Sequence, residues 1–192
     1  NIVELNETTP NSSGKSYSSK VNISNIGDSE MYYFVNSVGK LKNGKIENFD
    51  NYIQIRREFF SSDGRKLNNK KDFKIGELVV VKLSVRGVES NFSTANLVIS
   101  DLLPAGLEIE NPRLSEQSSY KWLRDLVNPN HYDYRDDRVN IYFDLDKKAD
   151  FYYTIRAITP GIYNWGAVTC EAMYESDVFS IYGGNEQIKV NK

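Results

Sequence analysis

The sequence predicts an all-β domain, an antiparallel β-sandwich with at most one short helix, and two observations carry that prediction. One is compositional: thirteen Tyr, nine Phe and two Trp make aromatics 12% of the 192 residues. Aromatic and β-branched side chains suit the pleated, half-buried surface of a sheet. The other is spacing. Short apolar runs, several of period two, recur with Asn, Ser, Gly and Pro between them, which is how strands joined by turns are written.

Taken in order, Ile2–Leu5 reads as a short strand and residues 6–16 (NETTPNSSGKS) as a polar loop. Val21 and Ile23 alternate with Lys20, Asn22 and Ser24, Asn25–Asp28 is a turn signal, and Met31–Val35 resumes an extended pattern. A hairpin is therefore expected over 17–36. Gly39–Asn51 is charged and Gly-punctuated, a loop. Tyr52, Ile53, Ile55, Phe59 and Phe60 surround the Arg56–Arg57 pair, and the run stops at Ser62-Asp63-Gly64.

After the Lys/Asn-rich stretch 65–72, Leu78–Val85 (LVVVKLSV) is the most continuous β-branched run, expected as a central strand. Leu97–Ile99 runs on to Leu102, where Pro104 and Gly106 end the strand, and Leu107–Glu110 alternates once more. Residues 114–127 hold the one helical pattern: Ser115 is a cap, and Leu114, Trp122, Leu123 and Leu126 form an apolar side. From Arg138 onward the strands follow one another as VNIYFDL, FYYTIRAI, a Pro160-Gly161 turn, IYNWGAVTCEAMY, a loop, and Gln187–Val190.

Several function classes are disfavoured. Charges nearly cancel, 24 Lys+Arg against 26 Asp+Glu, so no basic excess points to nucleic acid. No apolar run reaches the ~18 residues of a membrane helix. The single Cys170 allows no internal disulfide, and the single His131 leaves little for metal or triad chemistry. Cys170 as a nucleophile would need His131 beside it and a third orienting group, so a small buried hydrophobe is the simpler reading. Gly183-Gly184 lack the Lys-Ser/Thr of a phosphate loop.

Asp133, Asp136, Asp137, Asp144 and Asp146 lack the spacing of a calcium loop and have Arg135 and Arg138 among them, so a solvated loop is expected. No cofactor and no metal are expected, and no enzymatic activity. The triplets at Asn6, Asn11, Asn22 and Asn91 fit the glycosylation pattern, but in an Asn- and Ser-rich chain they arise by chance. The chain opens at Asn1 without a charged and apolar leader, as expected of a segment of a longer polypeptide. Tyr-rich stretches (Tyr32-Tyr33, Tyr132–Tyr134, Phe151–Tyr153) serve either as stacking platforms for sugars or as core and cross-strand packing.

Two groups of residues carry a resemblance. The first is Val98–Arg113, VISDLLPAGLEIENPR. The second runs from Tyr132–Arg138 (YDYRDDR) through Phe151–Gly161 (FYYTIRAITPG) to Glu171–Tyr174 (EAMY). In the order D-L-L-P-A-G-L-E, D-D-R-V, Y-x-x-R-A-x-x-P-G, E-A-M-Y, the chain resembles the C-terminal macroglobulin-type domain of bacterial alpha-2-macroglobulins. The resemblance covers about residues 50–192 well, and the first fifty less distinctly. It implies a macroglobulin/immunoglobulin-like sandwich over 51–192, with 1–50 as strands leading in from a preceding domain. The strand after Gly161 departs from the family, reading Ile162–Ala167 (IYNWGA) where adjacent prolines are more usual.

The resemblance further implies a protease trap: a large protein in the periplasm, its partners being other domains of the same parent chain and, through the parent, proteases. The parent would be a lipoprotein tethered to the inner membrane at its N-terminus, with no direct membrane contact by this domain. In many members of that family a Cys–Gln thioester, in a separate domain with a C-x-E-Q motif, captures the attacking protease, and the C-terminal domain covers it before bait cleavage with a Met-Tyr pair; some members lack the thioester. The matching positions are Met173 and Tyr174. Cys170-Glu171-Ala172-Met173 is not the thioester motif, so Cys170 is not carried over. A second reading is a carbohydrate- or protein-binding module of a cell-surface protein that uses exposed aromatics.

Overall fold

A computed structural model describes residues 29, 30, 32–34, 46–110, 120, 122, 123 and 127–192. The chain divides into two compact units, Asn1–Lys40 and Leu41–Lys192. In the first, Tyr32, Tyr33 and Phe34 are exposed and outside any strand, and Tyr32 Oη donates to Glu30 Oε2 at 2.7 Å. The expected strand at Ile2–Leu5 and the rest of the 17–36 hairpin lie outside the described residues. So does most of the expected helix 114–127, of which Tyr120, Trp122, Leu123 and Val127 are described and not helical.

In the second unit the described residues form thirteen strands. They are β1 Phe49–Asn51, β2 Ile53–Phe60, β3 Asp72–Lys74, β4 Leu78–Gly87, β5 Ser93–Leu102, β6 Leu107–Ile109 and β7 His131–Tyr134. Then come β8 Arg138–Asp146, β9 Lys148–Ala157, β10 Gly161–Asn164, β11 Ala167–Ala172, β12 Phe179–Gly183 and β13 Gln187–Asn191. Ten make one sheet in the order β6-β9-β4-β2-β1-β12-β11-β5-β8-β7, and β10-β13-β3 make a small second one. All neighbours are antiparallel except β13 and β3.

The large sheet is folded over on itself. Strands β9 and β8 stand near opposite ends of its strand order, yet Phe151 of β9 meets Phe143 of β8 edge-on, ring centroids 4.6 Å apart. The fold line runs between β1 and β2, where Tyr52 takes φ 60° and β1 keeps a single pair with β2, Asn51↔Ile53. At the crease the Ile55 N–H, which lacks a strand partner on that side, donates to Ser180 Oγ of β12 at 2.9 Å. The outcome is a sandwich with two stacked leaves, and closing it buries one face of every long strand.

Period-two alternation selects that face. Ile53 and Ile55 of β2 point inward, as do Val79, Val81, Leu83 and Val85 of β4, and Phe151, Tyr153 and Ile155 of β9. Leu97 and Ile99 of β5, Val139, Ile141 and Phe143 of β8, and Val168 and Cys170 of β11 meet them from the other leaf.

Four sequence expectations are corrected. Phe49–Asn51, expected within a loop, pairs with Phe179–Ile181 of β12, itself expected as loop. His131–Tyr134, expected in an acidic loop, is the edge strand β7, paired with β8. The segment IYNWGAVTCEAMY is two strands in different sheets, broken at Trp165-Gly166, where the Trp165 N–H turns to the Glu186 carbonyl at 2.9 Å.

Candidate functional site

Among the described residues, Arg57 and Asp101 form an ionic group set among apolar side chains. Arg57 follows Ile53 and Ile55 in the inward register of β2, and Asp101 follows Leu97 and Ile99 in that of β5. Their side chains are 4% and 0% exposed, and Arg57 Nη1 donates to Asp101 Oδ1 at 2.5 Å. The second carboxylate oxygen accepts Tyr153 Oη at 2.7 Å. Arg57 Nη2 donates to the Gly166 carbonyl at 3.0 Å, and its guanidinium lies 4.7 Å from the Trp165 ring. Burial, together with the charge on Asp101, holds the Tyr153 phenol well above its ordinary pKa. These groups face one another across the two leaves with both carboxylate oxygens satisfied, so they join the leaves and leave the Asp101 carboxylate closed to solvent.

The resemblance-bearing residues fall at the same seam and at its turns. Gly106 lies in the turn closed by Leu107 N–H to the Pro104 carbonyl at 2.9 Å, and a Cβ there would run into the Tyr163 ring. Tyr163 Oη in turn donates to the Thr159 carbonyl at 3.1 Å. Arg156 pairs with Glu110 at 2.7 Å across β9 and the end of β6.

Candidate chemistry elsewhere reduces to packing. Cys170 is fully buried and its thiol is pushed far up by desolvation. It lies on β11, separated from His131 on β7 by β5 and β8, a span of about 14 Å at ordinary strand spacing. Asp133 accepts Arg135 Nε at 2.9 Å, and Asp137 pairs with Arg138 at 2.7 Å. These hydrogen bonds hold both carboxyls below their usual range. Tyr132 and Tyr134 stack at 5.4 Å and 9°, but they pack against the core, and burial raises the Tyr132 phenol to about 12. A hollow of about 610 Å³ beside Trp165 is lined by Lys66, Lys70 and Lys71 with Glu58 and Glu186. Among the described residues its wall has no Ser, Thr, Cys or His.

Met173 and Tyr174 stand apart from all of this. Ala172 and Val178 are buried on either side of them, whereas Met173 is 51% and Tyr174 80% exposed. The segment between β11 and β12 is closed by Ala172 N–H to the Val178 carbonyl and Val178 N–H to the Glu175 carbonyl, both 3.0 Å. Asn51 Nδ2 holds the Asp177 carbonyl at 2.6 Å and Met173 N–H donates to the Asn96 carbonyl at 2.9 Å. Two large apolar side chains are thus displayed on a pinned backbone.

Sequence reasoning missed the Arg57–Asp101 pair and the Asn96 anchor. The first was signalled by opposite charges each two residues beyond an inward Ile, in two different strands. The second was signalled by the broken alternation between Thr94 and Leu97.

Comparison with known proteins bears on what such a domain belongs to. The family model of the bacterial alpha-2-macroglobulin MG10 domain matches residues 53–177. The alpha-2-macroglobulin of Escherichia coli (strain K12) is 32% identical over 166 residues, 79% of this chain and 10% of that protein. The crystal structure of trypsin-activated alpha-2-macroglobulin from Escherichia coli superposes with a TM-score of 0.67 at 28% identity, covering 76% of this chain and 11% of that one. Salmonella alpha-2-macroglobulin reacted with methylamine gives 0.65 at 28%, covering 77% and 10%. The chain therefore spans about a tenth of the length of these relatives. With a family model matched over 53–177 and a fold shared with these structures, the chain belongs to the bacterial alpha-2-macroglobulin MG10 domain family.

Proposed function

We propose that this domain is the non-catalytic C-terminal macroglobulin-type module of a larger bacterial protease inhibitor, and that Met173 and Tyr174 cover the parent's thioester before bait cleavage. The observation that carries the reading is the display of these two side chains on a backbone fixed from both sides. An acyl thioester is lost when water reaches it. A thioether beside an aromatic ring excludes water through apolar contact, holds no covalent or ionic link, and separates readily when the parent rearranges. That relatives are named as trypsin-activated and as reacted with methylamine supports a trap opened by proteolysis and a centre that takes small amines. The partners are then the parent's thioester-bearing domain and, through the parent, the attacking protease. The parent works in the periplasm, tethered to the inner membrane through its N-terminus.

The test is Tyr174→Gly in the parent protein. Spontaneous loss of the thioester and incorporation of methylamine are expected to accelerate on the order of ten- to thirtyfold, the effect of removing one central aromatic anchor. An unchanged thioester lifetime would overturn the covering role.

A further inference from the structure

The Met173–Tyr174 segment leaves β11 beside a break in the register of its neighbour. Strands β5 and β8 pair at Thr94↔Leu145 and resume at Leu97↔Phe143, so Ala95 and Asn96 together oppose Asp144. One extra residue on one strand is a β-bulge, which bends the strand and re-aims its neighbouring groups. Asn96 takes φ 57°, the left-handed region that Gly, Asn and Asp tolerate and β-branched residues do not.

This conformation sends the two backbone groups of Asn96 to different neighbours. Its N–H donates to Asp144 Oδ1 at 2.8 Å, and its carbonyl accepts the Met173 N–H at 2.9 Å. Asp144 is steadied in turn by Asn130 Nδ2, which donates to its other oxygen at 3.3 Å. The paired register of β11 with β5 ends at Ala172↔Leu97, so the Asn96 carbonyl supplies one anchor beyond that last pair. It grips Met173 by the main chain and leaves the side chain half exposed.

We infer that Asn96 is the positioning residue of the displayed pair: the bulge, buttressed by Asp144, aims Met173 and Tyr174 out of the sandwich. The inference rests on the covering role proposed above and adds the device that sets its geometry. In the parent, both the bulge and the side chains it aims are needed for a long-lived thioester.

Hydrogen exchange at the Met173 amide, read by NMR in the 192-residue chain, tests the anchor. Asn96→Val is expected to speed that exchange by roughly tenfold or more, from the left-handed penalty of a β-branched residue, while β4 and β9 amides keep their protection. Asn96→Gly accepts positive φ and is expected to stay within about threefold of the native rate. Any other pattern, with both variants or neither losing protection, overturns the role. Should Asn96→Val fail to fold, Asp144→Ala takes its place, and a Met173 amide that stays protected in it overturns the role equally. In the parent, Asn96→Val should shorten the thioester lifetime and Asn96→Gly restore it. If Tyr174→Gly leaves that lifetime unchanged while the exchange pattern holds, the covering role fails and the anchor stands, so the two claims fail separately.

Discussion

At the seam of the sandwich the exceptional side chains are turned inward and paired, whereas between β11 and β12 the large apolar side chains are turned outward and only their backbone is held. Arg57, Asp101 and Tyr153 satisfy one another in the interior. Met173 and Tyr174 have exposed side chains on a closed, hydrogen-bonded turn. The difference separates two meanings of a family resemblance. Asp101, Gly106 and Tyr153, which carry much of it, act within the fold, joining leaves or letting a ring approach a turn. They identify an architecture. The exposed pair points away from that architecture, and the covering role proposed above is what would give it a purpose.

The strongest way to break this comparison is to attack the seam. Asp101→Ala removes the acceptor of both the Arg57 guanidinium and the Tyr153 hydroxyl, leaving a buried cation without a carboxylate. A loss of about 3–5 kcal/mol is expected, because stranding one partner of a buried pair costs its full desolvation. Urea unfolding of the chain measures it. The double replacement Arg57→Met with Asp101→Leu is expected to lose less than Asp101→Ala alone, since no charge is then left stranded. A loss below about 1 kcal/mol for Asp101→Ala would mean that the leaves are held by apolar contact alone.

How much of this was legible in the sequence depends on the same division. The interior strands were readable wherever alternation was long and uniformly apolar, as in Leu78–Val85 and in VNIYFDL, because a buried face forces period two. Strand β12 (FSIYG) escaped because it is short, Ser180 occupies its inward position, and Gly183-Gly184 resemble a turn. Strand β7 escaped because its acidic and aromatic residues read as solvated loop, although pairing with β8 makes it an edge strand. The exposed pair was reached through resemblance to a family. Alternation reports what is buried, and nothing in a local pattern tells a displayed Met-Tyr from a strand end.

A position between the two extremes sharpens the comparison. Asp50, at the crease, is a quarter exposed or less, and burial alone would raise its pKa. Hydrogen bonds from Arg56, Ser180 and Gln54 outweigh that and bring it from 3.8 to about 2. A folded-state pKa depressed in this way gives stability that is fully present above the unfolded value and lost as pH falls through the folded one. The contribution is expected to be about 1–2 kcal/mol after discounting for partial exposure. It should be constant above about pH 4 and vanish as the pH falls towards about 2. The stability difference between the native chain and Asp50→Asn, followed by urea unfolding from pH 6 down to 2, isolates it. A difference that persists at the lowest pH would assign the crease to packing, in the manner of the seam.

The smallest effect carries the other half of the comparison. Tyr174→Ala removes a side chain that is 80% exposed and whose neighbours Ala172 and Val178 already close the turn through their own main chain. The change in unfolding free energy is expected to stay within about 0.5 kcal/mol, the range of surface positions outside any cap, core or network. Set beside Tyr174→Gly in the parent, this near-neutral result is what gives the thioester lifetime its meaning, because a shortened lifetime could then not be assigned to a loosened domain. A loss above about 1.5 kcal/mol would reverse the reading. The ring would be holding the β11–β12 turn in place, and the contrast between a paired interior and a displayed surface would collapse into one continuous fold.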